Sequence, residues 1–305
     1  MRHPFRQVDV FSSVPTSGNP VAVVHDADGL TDDQMAAFAR WTNLSETTFL
    51  LTPTADGRAG GADYRVRIWT PGGELPFAGH PTLGTAHAWL EAGGEPGGEG
   101  VVQECGVGLV RLRRDGVTDT QVEDQPKDQP QRLAFAAPPL LRSGPVDDAH
   151  VVQIAAALRI EVSDVVRSAW VDNGPGWVAV QLRDAEAVLA LEPDPVAMGD
   201  LKLGVVGEYG VGAVGEHRVG GSSEPAVEVR AFVPSFGVGE DPVTGSLNAG
   251  IGQWLGGDVL PSSYVASQGT ALDRQGRVHV DKLPDGEVWV GGDTVTTIVG
   301  QVSFQ

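Results

Sequence analysis

A single cysteine, Cys105, in 305 residues excludes an intrachain disulfide framework and any four-cysteine metal cluster. Basic residues are scarce too: 21 Lys and Arg stand against 40 Asp and Glu, for a formal net charge of -19. A surface so acidic repels a phosphate backbone, so nucleic acid is not an expected partner, and an anionic small molecule would need a local cluster of N–H donors to hold it. No window approaches the ~20 apolar residues of a membrane span. The opening MRHPFRQVDVF turns directly into alternating apolar residues, without the basic and then apolar regions of a signal peptide. A cytoplasmic protein that does not engage a membrane is expected. The histidines lack H-x-x-x-H or H-x-x-E-H spacing, which argues against a metal site, and there is no G-x-S-x-G nucleophile elbow. GVGAVG at 210–215 fits G-x-G-x-x-G, but EHRVGGSSEP follows where a helix would have to start, so a dinucleotide site is rejected.

What is plentiful is turn chemistry: 41 glycines and 21 prolines punctuate short Val, Ile and Leu runs. RQVDVF, PVAVVH, ETTFLLTP, DYRVRIWTP, WVAVQL, AVEVRAFVP, RVHVDKL and EVWVGG read as strands. Helical periodicity marks TDDQMAAFARWTNL behind an N-capping threonine, residues 81–91, DDAHVVQIAAALRI, and residues 243–255. The class is α+β with more strand than helix. Two polar stretches, 91–100 and 115–131, read as linkers, and the second sets a domain boundary near residue 126.

The two sides of that boundary repeat one another. VRIWTP (66–71) matches VRAFVP (229–234), HPTLGTAHA (80–88) matches DPVTGSLNA (241–249), and GNPVAVV (18–24) resembles GPGWVAV (174–180). Each copy delivers a strand through a glycine-bearing turn to a helix start, where unpaired N–H groups and the helix dipole attract an anion. Gly84 and Gly245 would allow close approach of the backbone, and Thr85 and Ser246 would add hydroxyl donors. A repeated turn can also be only a turn. The polar asymmetry is what points to chemistry, because His80 in one copy aligns with Asp241 in the other. Glu46, in NLSETTFLL, lies between a helix and an apolar strand, where burial would tune it as an acid/base; the other reading is a capping or surface glutamate. Glu208, in GVVGEYGVGAV, is either its mate in the repeat or a turn glutamate.

VDVFSSVPTSGNPVAVV, NLSETTFLL, RIWTPGGELPFAGHPTLGTAHAWL and VRAFVPSFGVGEDPVTGSLNAGIGQWL, in that order, resemble the PhzF-like (phenazine biosynthesis isomerase) family over nearly the whole chain. The resemblance implies a diaminopimelate epimerase-like fold. Two pseudo-symmetric lobes, 1–126 completed by a strand within 288–305 and 127–287, would each wrap a β-barrel-like sheet around a central helix, with the site in the cleft between them. It also implies no metal, no organic cofactor and a homodimer acting on a small carboxylate. By the same resemblance Glu46 moves the proton and His80 and Asp241 orient the substrate. Asn19, Gly79, Gly84, Thr85, Thr244, Gly245 and Ser246 would bind it. One cysteine excludes the thiol pair of diaminopimelate epimerases and leaves a one-carboxylate isomerisation. An epimerase using Glu46 and Glu208, and a non-catalytic binder of small acids, stay open.

Overall fold

The computed structural model describes residues 2–114, 131–210, 224–236 and 238–304. The boundary near residue 126 lies outside the described residues, as does most of the glycine run at 210–215. The chain divides into two compact units, Met1–Pro138 with Gly291–Gln305, and Pro139–Val290.

The first unit holds β1 (Arg2–Val10), β2 (Asn19–Val24), α1 (Asp32–Thr42), β3 (Glu46–Leu51), α2 (Ala55–Ala59), β4 (Tyr64–Thr70), β5 (Gly73–Leu75), α3 (Gly79–Glu91), β6 (Val101–Cys105), β7 (Gly108–Arg114) and β8 (Gln131–Ala136). The second holds β9 (Arg142–Pro145), α4 (Asp148–Leu158), β10 (Arg167–Asp172), β11 (Trp177–Gln181), α5 (Ala185–Leu189), α6 (Pro195–Met198), β12 (Lys202–Glu208), β13 (Val227–Val233), β14 (Val238–Asp241), α7 (Gly245–Leu255), β15 (Ser263–Gln268) and β16 (Gly276–Lys282). Strand β17 (Val288–Ser303) returns to the first unit. There it pairs with both β1 and β8 and closes the ring β1-β2-β3-β4-β6-β7-β8-β17 into a barrel.

The repeat read from sequence is a repeat of topology. In the first unit β2 runs parallel to β3, β3 antiparallel to β4, β4 parallel to β6, and β6 antiparallel to β7, with β5 as a hairpin on β4. In the second unit β11, β12, β13, β15 and β16 repeat these steps in the same order, with β14 as the hairpin on β13.

Helices α3 and α7 occupy equivalent places in these two sheets. The segment GHPTLGTAHAWLE carries no charge before Glu91, and Gly79 to Ala88 and Leu90 are all buried, as a helix enclosed on every side requires. It packs on β1, β2, β3, β6 and β8, and α7 packs on β10, β11 and β16. The outer helices are amphipathic instead. Thr31 and Gln34 form a capping box at the start of α1, whose Met35 and Ala39 pack with Phe49 and Trp69. Helix α4 lays Ile154 and Leu158 on Val178, Val180 and Phe232.

Candidate active site

The two helix starts fix the correspondence between the copies, and it differs from the sequence alignment. Ile68 of β4 faces Leu75, and Ala231 of β13, its counterpart, faces Asp241. Leu75 is therefore the structural equivalent of Asp241. Helices α3 and α7 then begin at Gly79 and Gly245, so His80 corresponds to Ser246, each the second residue of its helix. The structure thus equates His80 with Ser246 and not with Asp241, a difference of more than one helical turn, because Gly84-Thr85 and Gly245-Ser246 look alike in sequence and sit at different depths of their helices.

Gly84 and Thr85 are consequently not at a helix start. A Cβ on Gly84 would lie 2.3 Å from Val21 Cγ1, so this glycine lets the helix approach the barrel wall. Thr85 is fully buried and its hydroxyl donates to Thr48 Oγ1 at 2.9 Å. Gly79 is the first residue of α3, behind an alanine that offers no side-chain cap.

Within the first unit, Glu46, His80 and Asn19 come together. Asn43, in the left-handed region at φ 53, ends α1 and turns the chain into β3, whose first residue is Glu46. Glu46 is only 9% exposed, and its Oε2 lies 3.4 Å from Nε2 of His80. On the other side of the ring, Asn19 Nδ2 is 3.2 Å from His80 Nδ1. The two ring nitrogens of His80 thus face Asn19 on one side and the Glu46 carboxyl group on the other. Burial pushes the His80 pKa down to about 3, against a smaller opposing effect of a backbone bond to Pro20. The imidazole is therefore neutral at neutral pH, and its contact with Glu46 is not an ion pair.

Within the second unit, Asp241, Thr244 and Ser246 are gathered at the start of α7. Thr244 donates its hydroxyl to Asp241 Oδ2 at 2.6 Å, so although it is the N-cap residue its side chain caps nothing. Ser246 Oγ accepts from Trp177 Nε1 at 2.9 Å, and Asn173 Nδ2 donates to the Ser246 carbonyl at 2.8 Å. With a lone pair so occupied, the Ser246 hydroxyl hydrogen is available to an acceptor elsewhere. Gln268, Asn248, Asn173 and Trp177 belong to this arrangement, and sequence reasoning missed all four. Trp177 alone carries a signal, since it stands where the first copy has Val21.

Each hairpin that precedes a helix is stapled by the same fork. Arg67 binds both carboxylate oxygens of Glu74 at 2.7 Å, and Arg230 binds those of Glu240 at 2.9 and 2.7 Å. The second fork fixes the residue next to Asp241, and Arg230 also donates to the carbonyls of Val188 and Leu191.

Glu208 does not correspond to Glu46. Val21 pairs with Glu46 across β2 and β3, and Trp177 pairs with Lys202 across β11 and β12, which puts Lys202 at the equivalent position. Glu208 is exposed at the far end of β12, where it accepts from Gln181 Nε2 at 3.2 Å.

Comparison with known proteins agrees with this architecture. The PhzC-PhzF family model, described as phenazine biosynthesis-like protein, matches residues 8–300. The chain is 37% identical over 317 residues to antisense-enhancing sequence 1 of Schizosaccharomyces pombe, covering 98% of each. It is 36% identical over 247 residues to trans-2,3-dihydro-3-hydroxyanthranilate isomerase of Pseudomonas aeruginosa, covering 80% of this chain and 76% of the relative. The crystal structure of a PhzF-family phenazine biosynthesis protein from Bacillus anthracis superimposes with a TM-score of 0.75 at 22% identity, over the full length of both. Among the described residues, no helix is long and apolar enough to cross a membrane.

Proposed function

The chain belongs to the PhzC-PhzF family of phenazine biosynthesis-like proteins and is an isomerase, and from that premise we propose how it works. It moves a proton between carbons of a small carboxylated substrate, amino-acid-derived or from secondary metabolism, with Glu46 as the one acid/base and no metal or organic cofactor. The observation that carries this reading is the buried Glu46 carboxyl group beside the neutral His80 ring.

In the ionised form Glu46 takes a proton from a C–H next to an electron-withdrawing group. The C–H electron pair enters the conjugated π-system of the substrate, and the same carboxyl group, now protonated, returns the proton to another carbon. Burial suits this cycle, since a carboxyl group sheltered from water keeps the proton it has taken.

The neutral His80 ring faces charge developing in the substrate. The first-turn N–H groups of α7, with Gly245 and Ser246, hold the carboxylate, supported by the lack of a side-chain cap from Thr244. Asp241 accepts from an amino or hydroxyl group of the substrate. A donor aimed at developing negative charge is worth about 3 kcal/mol, so a few of them supply a large part of a proton-transfer rate enhancement. Asn19 and Gly79 act behind His80, as ring anchor and helix start. A homodimer is part of this reading, and sedimentation equilibrium tests it.

A panel of small acids in D2O, beginning with trans-2,3-dihydro-3-hydroxyanthranilate, tests the chemistry. Wild type is expected to yield an isomer with a shifted double bond, and Glu46→Gln to bind the same acid without converting it. A Gln variant at full activity removes Glu46 from the mechanism. Exchange at a stereocentre without a double-bond shift would favour an epimerase, although with Lys202 in the place of Glu46 a second carboxyl base at Glu208 lacks support.

A further inference from the structure

Gln268 is the last residue of β15 and is 1% exposed. A side-chain amide has two N–H hydrogens and two carbonyl lone pairs, and here all four are engaged. Nε2 donates to the Asp241 carbonyl at 3.1 Å and to Thr244 Oγ1 at 2.9 Å. Oε1 accepts from the Thr244 backbone N–H at 3.0 Å and from Asn248 Nδ2 at 2.9 Å. The two main-chain partners settle the amide orientation, because the reverse would set N–H against N–H at Thr244 and oxygen against oxygen at Asp241. With a lone pair of the Thr244 hydroxyl occupied by Gln268, its hydrogen points along the remaining short contact, to Asp241 Oδ2 at 2.6 Å.

We infer that Gln268 is a positioning residue that acts through Thr244, holding the Thr244 hydroxyl hydrogen on Asp241 and so setting the direction of that carboxylate. The same clamp keeps Thr244 from capping α7, which leaves the first-turn N–H groups of the helix to a ligand. Its meaning for catalysis rests on the reading that Asp241 meets the substrate. Its test uses no turnover, so the two can fail separately.

The full chain is labelled with 13C-carboxyl aspartate, and the carboxylate stretch of residue 241 is isolated in the infrared by subtracting the spectrum of Asp241→Asn at neutral pH. Thr244→Val is expected to shift this band by removing its O–H donor. Gln268→Leu should shift it in the same direction by at least half as much, and the double variant no further than Thr244→Val alone. A band that Thr244→Val or Gln268→Leu leaves in place overturns the inference. A further shift in the double variant also overturns it, since Gln268 would then act by another route. Should Gln268→Leu fail to fold, Gln268→Glu replaces it, because an acceptor at Nε2 draws the hydroxyl hydrogen away from Asp241, and the same outcomes decide.

Discussion

His80 and Ser246 stand at one position of a duplicated fold, the second residue of the helix enclosed by each sheet, and each meets a side-chain nitrogen of its own copy. Asn19 Nδ2 lies 3.2 Å from His80 Nδ1, and Trp177 Nε1 lies 2.9 Å from Ser246 Oγ. The bond that Ser246 receives leaves its O–H to give, and the other ring nitrogen of the neutral His80 faces Glu46. The duplication has kept a polar side chain at each helix start while changing its chemistry.

The Trp177 bond has a measurable worth. Trp177→Phe keeps the ring and removes the N–H, and a neutral hydrogen bond contributes about 1 kcal/mol. A roughly fivefold rise in KM with kcat changed less is expected from steady-state kinetics. A fall in kcat alone would show that Ser246 acts in the chemical step rather than in holding the substrate.

Gly84 is expected to be a packing residue. Gly84→Ala sets a methyl group against Val21 Cγ1 and should cost about 1–3 kcal/mol of stability, as overpacked cores do. Adding Val21→Ala should restore part of the loss in thermal melts. A variant with unchanged Tm but weakened ligand binding would return Gly84 to the binding residues.

Acid should destabilise the fold through histidines. Burial lowers the pKa of His25 to about 4, that of His80 to about 3 and that of His87 to about 4, from an ordinary 6.5. The unfolded chain therefore binds protons first, and the stability present above about pH 6.5 is lost as the pH falls toward 4, at about 1.4 kcal/mol per pH unit for each histidine. Urea unfolding across this range measures the slope. A flat profile between pH 6 and pH 4.5 would contradict the burial of these rings.

Glu208→Gln is expected to leave turnover unchanged, because the residue is exposed and lies at the far end of β12 from Lys202, the equivalent of Glu46. Loss of activity in that variant, with the fold intact by circular dichroism, would restore the two-carboxylate reading.

Much of the fold was legible in the sequence. The apolar run in PVAVVH and the alternation in RVHVDKL depend only on neighbours along the chain, and Thr31 marks the start of α1 by its own side chain. The repeat was legible too, but not its register: Gly-Thr and Gly-Ser look alike as letters, whereas the strand pairs Ile68 with Leu75 and Ala231 with Asp241 separate them. Glu46 and His80, which the structure brings together, stand out in the sequence because a polar residue among apolar ones is conspicuous. Gln268 and Trp177 do not, because each acts through a partner far away in the chain that only the sheet register brings within reach.

The central claim is that one carboxyl group carries the proton from the carbon that loses it to the carbon that gains it. The most direct measurement places deuterium at the C–H to be broken in an acid that wild type converts, runs a single turnover in ordinary water, and asks where the label goes. Deuterium retained at the new carbon, and no conversion by Glu46→Gln, is the expected result. Complete loss of the label to water together with an active Glu46→Gln variant would contradict it.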